Sequence, residues 1–181
     1  MKKYKILSVF IITIVVFAFS FVKIARGLTE GTVNATVTAK NIACSLSNAT
    51  IAYGTIALSG TQNTTAQGLN VTSPVANNTG NVAENFLIKG TDSAAWTLEL
   101  TVGANQYVHE VCIGSGGSPD PCDTGGTPVW TKMNADTNTE FAHEVAGAGN
   151  QTFDLKISVP SSSASYDEQT VNATVYCEAH T

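Results

Sequence analysis

The residues best placed to do chemistry are four cysteines, Cys44, Cys112, Cys122 and Cys177, all beyond the first 27 positions. In an exported chain an even count reads as disulfides, and four cysteines admit three pairings. The favoured pairing joins Cys112 to Cys122 around a short Gly/Pro loop and Cys44 to Cys177, tying the first part of the domain to its last strand. A zinc site would call for a Cys-x-x-Cys pair, which the sequence lacks. The histidines, His109, His143 and His180, stand near no Ser, Cys or acidic partner in a nucleophile motif. Gly114-Ser115-Gly116 lacks the framing of a nucleophile elbow. His109 and His143 are expected to face solvent or to pack at a sheet surface, and Asp167-Glu168 to mark a solvated strand entry. There is no His-x-x-x-His, calcium-loop or phosphate-loop pattern. Asp120 and Asp123 lie close together but have no third ligand at a fitting spacing. Trp96 and Trp130 offer rings for a sugar, but a Trp on a period-2 strand reads first as core. No catalytic residue, cofactor or metal follows from these patterns.

Seven Asn-x-Ser/Thr sequons occur, at Asn34, Asn48, Asn63, Asn70, Asn77, Asn150 and Asn172. Each is a glycan acceptor where the machinery exists. Asn and Thr are so common here that composition alone produces such triplets. Asn34 and Asn172 fall on the outward phase of their strands, where a glycan is tolerated.

The elements that must position these residues begin after an export-type leader. Lys2, Lys3 and Lys5 precede an apolar run of 17 residues, Ile6 to Val22. That order is the n-region and h-region of a secretory signal. Ala25-Arg26-Gly27 places small residues at −3 and −1 of a cut before Leu28. Lys23 and Arg26, directly after the run, leave a second reading open, in which residues 1–27 stay as a membrane anchor. Residues 28–181 then form one domain of 154 residues, enough to bury a core. Five of the nine basic residues fall in the leader. Lys40, Lys89, Lys132 and Lys156 face all 14 acidic residues, so the formal net charge of that domain is −10. Such a surface repels phosphate backbones and excludes nucleic acid as a partner.

Period-2 alternation dominates the domain. Val33, Ala35, Val37 and Ala39 alternate with polar residues, as do Trp96 to Val102, Phe153 to Val159 and Val171 to Cys177. Each run sends one face to a core and one to water. Strands are predicted at 31–39, 42–47, 50–58, 68–73, 82–89, 95–102, 106–113, 128–133, 139–145, 151–159 and 168–178. Asn78-Thr79-Gly80, Gly90-Thr91-Asp92, Gly103-Ala104-Asn105 and Gly147-Ala148-Gly149-Asn150 are the turn signals between them. Many short strands at this spacing predict an all-β, immunoglobulin-like two-sheet β-sandwich. Cys177 shares the inward phase with Val175, and Cys44 with Ile42 and Leu46. The pentapeptide Val-Asn-Ala-Thr-Val occurs at 33–37 and again at 171–175. The longest irregular stretch, Gly114 to Pro128, would be stapled by Cys112–Cys122.

The stretch Asn77 to Gly90 (NNTGNVAENFLIKG) resembles small secreted immunoglobulin-like surface proteins of environmental bacteria. The likeness continues through Ala95-Trp96-Thr97-Leu98, Gly103 to His109 and Phe153 to Ile157. It implies an exported β-sandwich and carries no activity, cofactor or catalytic residues with it. In architecture the chain is also similar to donor-strand matrix-fibre and pilin subunits, which lend an N-terminal strand to a neighbour. Here that strand would run from Thr32 through Val33, Ala35 and Val37 to Ala39. The expected role is a secreted or cell-surface structural or interaction module without catalysis. Its expected partners are other surface proteins, copies of itself or glycans, and the membrane only through an uncleaved leader. A self-assembling fibre subunit and a carbohydrate-binding module are the rival readings.

Overall fold

The computed structural model describes residues 31–65, 68–69, 71–112, 122 and 128–181. The predicted leader, residues 1–27, and Asn70, Asp120 and Asp123 lie outside the described residues. The chain divides into two units, residues 1–38 and 39–181. All the strands described belong to the second.

That unit is all-β, with no helix among the described residues. Its strands are β1 (Cys44–Ser47), β2 (Thr61–Asn63), β3 (Val75–Asn78), β4 (Glu84–Gly90), β5 (Thr97–Leu98), β6 (Gln106–Cys112), β7 (Trp130–Lys132), β8 (Thr139–Val145), β9 (Asn150–Thr152), β10 (Asp154–Ser158) and β11 (Ala173–Ala179). They form three sheets, ordered β1–β3–β9, β2–β10–β6–β5 and β11–β4–β8. β7 also pairs with β6. Every pairing is antiparallel except that of β5 with β6.

Alternation explains the central strands. Phe153, Leu155, Ile157 and Val159 are all buried. Across from them on β6, Val111 pairs with Leu155 and His109 with Ile157. Ala76 of β3, Phe86 and Ile88 of β4 and Phe141 of β8 join the same cluster, so all three sheets feed one core. Phe141 and Phe153 pack with ring centres 4.9 Å apart and their planes tilted by 55°. Each such side chain contributes about 1.5–3 kcal/mol on burial. Gly90 lets β4 end against β5: a Cβ there would stand 2.4 Å from Leu98 Cδ2.

Several predicted strands fare differently. Residues 31–43 carry no strand, and Val33 and Val37 are 90 % and 96 % exposed. The alternation at 31–39 therefore has no partner among the described residues, and an unpaired strand leaves its backbone groups to water. Residues 50–58 are irregular, yet Ile51, Tyr53 and Ile56 still pack on the core. The strand at 95–102 shrinks to Thr97–Leu98, leaving Leu100 and Val102 exposed. Ile42 and Leu46 are exposed as well, although they share the phase of Cys44. No strand forms over the described part of 68–73. Conversely β2 and β3, with sequences TQN and VANN, show little apolar alternation and are held by their neighbours' ladders.

Candidate functional site

Three arrangements bring polar or reactive side chains together. The first holds the start of the compact unit. Residues 39–43 lie along the turn between β3 and β4, where Asn-Thr-Gly-Asn supplies the donors. Asn41 N donates to Asn81 Oδ1 (2.8 Å), and Asn81 Nδ2 donates to the carbonyl of Ala39 (2.8 Å). The amides of Thr79 and Gly80 both donate to the carbonyl of Ala43. Ala43 N in turn donates to Glu84 Oε1 (2.9 Å). Asn78 braces the turn from beneath, donating to the carbonyls of Val82 (2.7 Å) and Val145 (2.9 Å). A Cβ at Gly80 would stand 2.4 Å from both the Asn41 carbonyl oxygen and Glu84 Oε1, so the clamp needs glycine here. One residue on, Cys44 is bonded to Cys177 of β11, 133 positions away, with the Cα atoms 6.1 Å apart. Cys112 is bonded to Cys122. Both pairings are those expected from the sequence.

The second arrangement is interior. His109 is only 2 % exposed, which corrects the expectation that it faces solvent or sits at a sheet surface. The reason is phase: it shares the core face of β6 with Tyr107 and Val111. Burial lowers its pKa to about 4, so the ring is neutral at pH 7. Its Nε2 meets the hydroxyl of Tyr53 at 3.1 Å. Burial, then the charge of Asp154, then Tyr107 push the Tyr53 hydroxyl far up, so it also stays neutral. Burial, then Asp92, likewise raises Tyr107, whose hydroxyl donates to the carbonyl of Thr91 (2.5 Å). Asp154 is fully buried and accepts from Thr64 Oγ1 (2.6 Å) and Ser73 Oγ (3.0 Å). Thr64 Oγ1 also accepts from the amide of Leu155 (3.0 Å). These contacts join the irregular segments on either side of β2 to β6 and β10. Among the described residues, Glu84 Oε2, His109 Nδ1 and Asp154 Oδ2 are the buried side-chain polar atoms without a partner.

The third arrangement is on the surface of β11–β4–β8. His143 and His180 stand edge to face with ring centres 4.5 Å apart. Glu140 Oε1 lies 3.1 Å from His143 Nδ1, and Asn85 Oδ1 lies 3.2 Å from His180 Nδ1. Among the described residues no group of three or more His, Cys, Asp or Glu is gathered to hold a metal ion.

The other candidates are dispersed. Asn34, Asn48, Asn150 and Asn172 are exposed. Asn63 and Asn77 are half-buried and their side chains are engaged: Asn63 Oδ1 accepts from Thr65 Oγ1, and Asn77 Nδ2 donates to Ser47 Oγ. Trp96 packs against the core and donates through Nε1 to Ser163 Oγ (2.9 Å). The Trp130 ring is capped by Lys156 Nζ, 4.7 Å from its centre. That lysine also pairs with Glu110 at 2.8 Å. Sequence reasoning missed Tyr53, Thr64, Ser73 and Asp154 as a set, because they come from four separate segments. No local signal marked the set: Asp154 holds the outward phase of the alternating run Phe153 to Val159, where it reads as solvent-facing, yet it is fully buried. Comparison with protein-family models, with curated proteins and with solved structures returns no match.

Proposed function

We propose that this protein is a secreted or cell-surface structural and interaction module, built as an immunoglobulin-like two-layer β-sandwich and without catalytic activity. The observation that carries this reading is the pair of disulfides, which uses all four cysteines and ties β1 to β11. Such bonds persist in oxidising, extracytoplasmic settings. The core shared by the three sheets supports a layered packing of this kind. The buried polar groups serve the fold: Asp154 ties β10 to two loops, Glu84 holds the entry segment, and His109 is sealed by Tyr53. The export-type leader and the acidic, soluble surface agree with this role. The test is size-exclusion with light scattering on the oxidised, secreted protein. A single species at monomer mass is the expected result, and higher-order species that survive SDS would argue against it.

A second reading, a fibre subunit that polymerises by strand addition, is favoured by one specific observation. Residues 33–37 repeat the sequence of 171–175 but lie unpaired and exposed, while β11 has β4 as its one partner in the described register. An exposed edge plus an unpaired alternating strand is the material of β-augmentation. The acceptor in this reading is the outer edge of β11, and the donor is Thr32 to Ala39 of a second copy. Deleting residues 28–38 then abolishes polymers and leaves a folded monomer; polymers that survive the deletion rule this reading out.

A further inference from the structure

We propose that His143 and His180 form a two-imidazole surface site for a divalent transition-metal ion such as Zn²⁺ or Cu²⁺. The case starts from the strand register. Phe86 pairs with Cys177 and with Ala142, and these face the core side of β11–β4–β8. Asn85 and Glu178, one residue along, therefore belong to the opposite face. His180 follows Glu178 by two residues and shares that face. β8 reaches it through a bulge: its register against β4 shifts between Glu84 and Phe86, and Glu144 has φ of 52°. Bulges of this kind re-aim a side chain. Here the Glu144 amide donates to Asn85 Oδ1 (3.0 Å), and the neighbouring His143 is turned onto His180.

The hydrogen bonds determine which nitrogens are available. A carboxylate only accepts, so His143 Nδ1 carries the proton it gives to Glu140. Asn85 Oδ1 already accepts from the Glu144 amide, which identifies that atom as the oxygen. His180 Nδ1 must therefore be the donor in its contact with Asn85. In the neutral rings both Nε2 atoms are then left with lone pairs. An oxygen acceptor on the far nitrogen is the arrangement that orients metal-bound imidazoles and raises their basicity. Two imidazoles bound to one ion through nitrogens at about 2.0–2.1 Å keep their ring centres within about 6.5 Å of each other. The ring centres of His143 and His180 are 4.5 Å apart, inside that reach. The side chain of His143 is 60 % exposed, so an ion has a path in. The net acidic domain draws cations towards it. With two protein nitrogens, water completes the coordination, and imidazole ligands select zinc, copper or nickel over calcium or magnesium.

The test is calorimetric titration of Zn²⁺ into the oxidised, exported protein, with Cu²⁺ and electron paramagnetic resonance as a second probe. The expected result is one saturable site per chain, with two nitrogen couplings on Cu²⁺. His143→Ala and His180→Ala should each weaken binding at least tenfold while leaving the metal-free melting temperature unchanged. Glu140→Gln, which keeps both rings, should weaken it by about tenfold through the lost orienting carboxylate. No saturable binding, or binding that survives either histidine substitution, would overturn the site.

Discussion

Residues 33–37 and 171–175 carry the same five residues, Val-Asn-Ala-Thr-Val, and reach different states. In the second copy Ala173, Thr174 and Val175 pair with Gly90, Lys89 and Ile88, and the valines are half-buried against the core. In the first copy no strand forms and both valines stand in water. Identical propensity thus gives strand in one place and none in the other. What differs is a partner: β4 lies beside 173–175, and a disulfide two residues further on holds β11 to β1. β-propensity measures fit to a pleated, half-buried surface, and without that surface it specifies nothing.

The largest effect is expected from Phe86→Ala, which removes the core residue that pairs with Cys177. It should cost about 3–5 kcal/mol in urea unfolding, and β11 should lose hydrogen-exchange protection with it. Replacing Cys44 and Cys177 together by Ser should cost about 2–5 kcal/mol, as for native bridges in small exported domains. If that loss is near zero, the bridge is not what distinguishes the second pentapeptide. Acid should act through the interior. The folded pKa of His109 lies below its ordinary 6.5, at about 4. Between these values the unfolded chain binds the proton and the folded chain does not, so stability is lost as pH falls from 6.5 towards 4. The full loss is about 3 kcal/mol, and His109→Phe should flatten that part of the pH profile. The smallest pair is the most direct. Val175→Ala should cost about 1 kcal/mol for its half-buried methyls, and Val37→Ala should leave monomer stability unchanged. Equal costs at the two positions would end the contrast.

The elements legible in advance are those whose alternation is long and doubly supported. β8 falls where predicted, at 139–145, and β6 and β10 follow their apolar phase closely. Both disulfides are the pairing favoured among the three that four cysteines admit. The illegible elements are short or rely on neighbours. β2 and β3 are polar strands that exist because β10, β1 and β9 present ladders to them. Residues 50–58 look like a strand but pack as an irregular segment, with Tyr53 anchored on His109. The candidate sites follow the same division. Asn78-Thr79-Gly80 reads as a turn, but nothing local says that it grips residues 39–43. His143 and His180 are 37 positions apart and meet only because β11 and β8 flank the same strand.

Composition and period-2 patterning are local properties of the chain, and they were enough for the all-β class, the excess of acidic over basic residues and the cysteines available for bonding. The tertiary structure decided which alternating runs became strands, which polar residues were buried as a set, and which two histidines became neighbours. Backbone pairing and burial are contacts between distant segments. Their free energy exists only once both partners are in place, so identical local sequences such as residues 33–37 and 171–175 can end in different states.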